Sequence, residues 1–116
     1  MAAKATTGVL FDVSESATVS EVPGDIRGHY VVGFSTPGTF TSATFTFQAS
    51  EKKGTGADWK SIYDEVGTEI SIPTVTSDDY HVVPAIWFAG VNFLQITSSA
   101  SQGADATVTL HLVPVS

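Results

Sequence analysis

"ATFTFQAS", residues Ala43–Ser50, decides how this chain is read. Phe45, Phe47 and Ala49 occupy alternate positions, with Thr44, Thr46 and Gln48 between them. Successive side chains of a strand point to opposite faces, so this stretch is a β-strand with one face on a core and the other wet or covered. The C-terminal segment repeats the pattern, with Ala106, Val108, Leu110 and Leu112 on one side and Thr107, Thr109 and His111 on the other. "HYVVGFS" (29–35) and "NFLQITS" (92–98) are apolar on both faces, as strands central to a sheet or covered by a partner often are.

Working outward, further short period-two segments fall at 7–13, 17–21, 59–64, 69–72 and 80–83. Pro23-Gly24, Pro37-Gly38, Gly54-Thr55-Gly56, Val66-Gly67, Pro73 and Gln102-Gly103 punctuate them, supplying the positive or fixed φ that turns require. No window carries a capped helical stripe. Many short strands in so few residues predict an all-β chain, an antiparallel two-sheet β-sandwich or jelly roll. Residues 1–6 read as a flexible N-terminal arm and 7–116 as one domain. "PAIWFAGVNF" (84–93) breaks the alternation with consecutive apolar residues, and reads as a buried or contact-making loop with one helical turn.

Composition narrows what such a domain can do. With 116 residues, 42% of them hydrophobic and 15% charged, the chain can bury a core and is far from the disordered regime. It has no cysteine, which removes disulfides, thiolate metal sites and thiol nucleophiles together. A net charge of −7 argues against nucleic acid, whose phosphates would repel it. The N-terminus lacks the apolar core of a secretory signal and no apolar run is long enough to span a bilayer, so the expectation is a soluble product of the cytoplasm without a membrane partner.

No catalytic, cofactor or metal constellation stands out. His29, His81 and His111 are dispersed, and His111, on the outward side of its strand, reads as solvated. No G-x-S-x-G elbow is present. Asp64-Glu65 and Asp78-Asp79 adjoin turn formers and read as turn carboxylates, adjacent strand residues pointing apart; a calcium site at Asp78-Asp79 would need further oxygen ligands. Trp59 and Tyr63 share a strand face, either in the core or as a sugar-stacking platform with Tyr80, Trp87 and Phe88. The loop between the strands at 43–50 and 59–64 stands out electrostatically. Lys52, Lys53 and Lys60 face Glu51 and Asp58, a local charge of +1 on an anionic chain.

"TSATFTFQAS", "DWKSIYDEVGTEISI" and "FAGVNFLQITSSAS" together resemble a pattern found in small structural proteins of tailed bacteriophages. The matching positions are Ala43, Phe47, Gln48, Ser50, Trp59, Tyr63, Asp64, Gly67, Glu69, Ala89, Gly90 and Ser98, across about half the chain. The outline also looks like the galactose-binding-like jelly roll. The chain departs from the pattern in its longer, basic loop "EKKGTGAD", where Asp-Gly is usual, and lacks arginines after Phe93.

What the resemblance implies is a non-enzymatic virion protein, a capsid decoration (cement) protein on the outside of the phage head. Its partners would be the major capsid protein and copies of itself, as a homotrimer, without a cofactor. Contact residues expected under that reading are Lys52, Lys53 and Lys60 at the hairpin tip, and Trp87, Phe88 and Phe93 in the aromatic loop. The same lysines could simply blunt an exposed hairpin, and the same rings could close one end of the sandwich. The rival function is a carbohydrate-binding or host-attachment module, such as a head or tail fibre component.

Overall fold

A computed structural model of the chain, describing residues 5–11, 24–52, 56–103 and 105–115, shows two antiparallel sheets packed face to face. The strands are β1 (Ala5–Phe11), β2 (Gly24–Asp25), β3 (His29–Ser35), β4 (Ala43–Ser50), β5 (Lys60–Ser61), β6 (Ser71–Val75), β7 (Tyr80–Val82), β8 (Phe93–Ser98) and β9 (Ala106–Pro114). One sheet runs β1-β9-β3-β7; the other runs β2-β8-β4, with β5 and β6 both paired to β4. Apart from the run β4 to β6, each successive strand crosses to the opposite sheet. That is jelly-roll connectivity.

Strands β3 and β4 have the bounds expected from the sequence. β1 begins at Ala5, so Ala5 and Thr6 are ladder partners of Leu112 and His111 rather than part of an arm; residues 1–4 lie outside the described residues. The predicted strand at 17–21 also lies outside them. Pro73 is not a turn but sits within β6. That strand is an edge whose register against β4 slips between Ala43 and Phe45, the setting in which a proline costs no ladder hydrogen bond.

Phe45, Phe47, Leu94 and Ile96 of one sheet meet Val31, Phe34, Val108, Leu110 and Leu112 of the other, all at most 2% exposed. Rings run through this core in a chain: Phe34 lies 5.5 Å from Phe45, Phe45 lies 6.3 Å from Phe47, and Phe47 lies 4.9 Å from Phe88. Each fully buried phenyl contributes on the order of 1.5–3 kcal/mol.

The two-faced apolarity of "HYVVGFS" has a specific cause. Val31 pairs with Leu112 but Gly33 pairs with His111, leaving Val32 as the extra residue of a bulge. The bulge resets the alternation, so Val31 and Phe34 both reach the core. On the outer side a Cβ at Gly33 would stand 2.6 Å from the Tyr80 hydroxyl and 2.8 Å from the His81 carbonyl, so only glycine fits there.

Candidate functional site

The basic hairpin and the aromatic loop, far apart in sequence, converge at one end of the sandwich. They border an open pocket of about 680 Å³ lined by Ser50, Glu51, Lys52, Asp58, Lys60 and, from the other loop, Gly90, Val91 and Asn92. Ser50, buried at the end of β4, organises the hairpin mouth. Its Oγ donates to the Lys52 carbonyl at 2.6 Å and accepts the backbone N–H of Lys52 at 3.1 Å and of Asp58 at 3.2 Å. Lys60 Nζ pairs with Asp58 Oδ2 at 3.1 Å, both side chains largely exposed. Lys52 is exposed at the rim, and Lys53 lies outside the described residues. The described part of the tip is therefore charge-balanced, with Lys60 committed to its neighbour.

The aromatic residues expected as contacts are placed differently. After Pro84, a 3-10 turn (Ala85–Phe88) drives Phe88 into the core against Phe47, leaving it 1% exposed. Trp87 is half-buried, edge-on to Phe88 at 6.2 Å. Phe93 is 5% exposed; the Arg27 guanidinium lies 4.9 Å over its ring, on the side of β8 away from the main core. Phe88 is thus part of the core, and Phe93 is covered by Arg27 on the other side of β8. The exposed apolar residue of the turn is Ile86, at 78%. Arg27 is held by a two-bond fork to Asp25, at 2.9 and 2.7 Å, which raises the guanidinium pKa through the hydrogen bond first and the carboxylate charge second.

The remaining candidates resolve individually. Tyr63 is 58% exposed and Trp59 half-buried, so this pair is not a core pair. His111 is on the outward side of β9 but is not simply solvated: its Nε2 is 3.0 Å from Ser35 Oγ, and the Tyr80 ring lies 4.8 Å away. His81 faces inward, stacked on Phe34 at 5.1 Å. Asp64 caps its own turn, its Oδ1 accepting from the N–H groups of Val66 at 3.0 Å and Thr68 at 2.9 Å. Asp79 accepts from the Thr76 hydroxyl, and Asp78 takes φ of 56° at the same turn. Among the described residues no three His, Asp or Glu side chains converge as a metal site, and no helix is long and apolar enough to cross a membrane.

What the sequence reading missed is the outer face of the β1-β9-β3-β7 sheet. Its four strands contain no Asp, Glu, Lys or Arg, in a chain with twelve acidic and five basic residues. Outward from it stand Tyr30 with Val113, then Val82, Gly33, His111 and Thr6 in one row, and Tyr80, Ser35 and Thr109 in the next. Val82 is 81% exposed, Tyr80 51% and Val113 41%. The signal was available as the uninterrupted neutrality of those segments.

No family model matches the chain, and no curated protein matches it. Among solved structures, the crystal structure of the SPBc2 prophage-derived protein YomS is similar at 18% identity, over 97% of this chain and 96% of that one, with a TM-score of 0.48.

Proposed function

We propose that the chain is a non-enzymatic structural protein of a phage virion, a capsid decoration protein that binds and stabilises the assembled head. The observation that carries this reading is the segregation of charge. Within the described strands only Asp25 and Lys60, both in two-residue strands, are charged, so the sandwich offers two broad neutral flanks and keeps nearly all its ionised groups in turns and loops. A body of this kind is suited to laying flat surfaces against neighbours; charge depletion in the interior of a contact is what distinguishes an interface from ordinary surface. The sequence pattern shared with small phage structural proteins supplies the biological setting, and the hairpin end, with Lys52 at its rim, supplies a polar contact that can fix register on a shell.

The experiment is co-sedimentation of the purified protein with phage heads assembled without minor proteins. Saturable binding that Lys52→Glu with Lys53→Glu reduces supports the reading; occupancy indifferent to that reversal removes the hairpin from the contact. Carbohydrate binding is the second reading, favoured by an exposed Tyr63 and a half-buried Trp59 in neighbouring sequence. Among the described residues, however, no aromatic ring lines the pocket at the hairpin end. Glycan-induced change in tryptophan fluorescence would turn the assignment toward it.

A further inference from the structure

We infer that the outer face of the β1-β9-β3-β7 sheet is a self-association surface, where a second copy of this chain docks face to face. The face has an apolar side, formed by Tyr30, Tyr80, Val82 and Val113, and a hydroxyl-rich side, where Ser35, Thr109, Thr6 and Thr107 border His111. Aromatic residues combined with an absence of charge are the composition of an interface centre.

Charge selects the occupant. A partner presenting carboxylates or ammonium groups would bury them against a sheet that offers no counter-ion, at a cost of several kcal/mol per unpaired charge. A second copy presents the same neutral rows. Two chains of net charge −7 can approach closely only where neither places carboxylates at the contact, and this face meets that condition while the acidic turns stay at the periphery. Size is adequate as well. A standard interface takes about 800 Å² from each partner, roughly an eighth of this molecule's 6109 Å² surface. A single patch that pairs with itself is isologous and closes at two copies, which makes the unit a dimer rather than a ring of three. The contact goes beyond the virion reading and stands whether or not the chain decorates a shell.

The test is light scattering on the full chain eluting from a sizing column at rising concentration. The expected mass is twice 12.1 kDa, falling to the single-chain mass in Val82→Glu and Val113→Glu, while Thr46→Glu on the opposite sheet keeps the dimer. Far-UV circular dichroism establishes that each variant is folded. On the unmodified protein, tyrosine nitration gives a second readout: Tyr80 loses reactivity as the dimer forms, and Tyr63 does not. A single-chain mass at every concentration, a three-copy mass, or a dimer that both glutamates leave intact with Tyr80 still reactive would overturn the inference.

Discussion

The side-chain amide of Gln102 closes a ring of two hydrogen bonds with the backbone of Thr41, accepting the Thr41 N–H at 2.7 Å and donating to the Thr41 carbonyl at 3.0 Å. Only 2% of Gln102 is exposed, so it acts as a surrogate strand partner that binds the turn after β8 to the segment entering β4. Replacing it with leucine keeps the volume but leaves the part-buried N–H and C=O of Thr41 unmet. The expected loss is about 2 kcal/mol, read as a lower urea midpoint at unchanged slope.

Gly33→Ala tests the close approach of β7 to the bulge in β3. The new Cβ would meet the Tyr80 hydroxyl at 2.6 Å, which a ring can relieve by moving, and the His81 carbonyl at 2.8 Å, which it cannot. Destabilisation of roughly 1–3 kcal/mol follows, and Tyr80→Ala in the same chain recovers only part of it. Calorimetric melting of the single and double variants measures both terms.

Ser50→Ala removes the hydroxyl that gathers three backbone groups at the hairpin mouth. A loss of about 1–2 kcal/mol is expected, together with faster tryptic cleavage after Lys52 than in the parent protein. Cleavage at an unchanged rate would mean the loop holds its form without Ser50.

Lys60→Ala breaks the ion pair with Asp58, whose side chains are 74% and 80% exposed for Lys60 and Asp58 respectively. Stability changes by less than about 0.5 kcal/mol, because solvent screens a pair this open. Any larger effect of this substitution on particle binding therefore reports on the partner rather than on folding.

How far the sequence alone could carry these conclusions depended on which physical signal each residue left. Alternation in 43–50 and 106–113 was sufficient for the sheets and their inward residues, because burial on one face leaves a period of two. Pro73 misled because a proline is excluded only from strands paired on both sides, and edge position is a property of the whole fold. Val31 and Phe34 break alternation through a bulge, which single-strand periodicity cannot express. Phe88 and Phe93 looked like contact residues because consecutive apolar residues in a loop are compatible with either burial or exposure; the 3-10 turn carries Phe88 into the core, and Phe93, already in β8, is covered by Arg27. Lys52 and Lys60 were found by charge, while Tyr80, Val82 and Val113 required seeing strands from three parts of the chain side by side.

Whether the chain decorates and stabilises a shell is read by heating phage heads with and without the added protein, while monitoring rupture by a dye that reports released DNA. If the chain is a decoration protein, it occupies the heads saturably and raises their rupture temperature in step with occupancy. Heads that rupture at the same temperature, with the protein left in the supernatant, would contradict it.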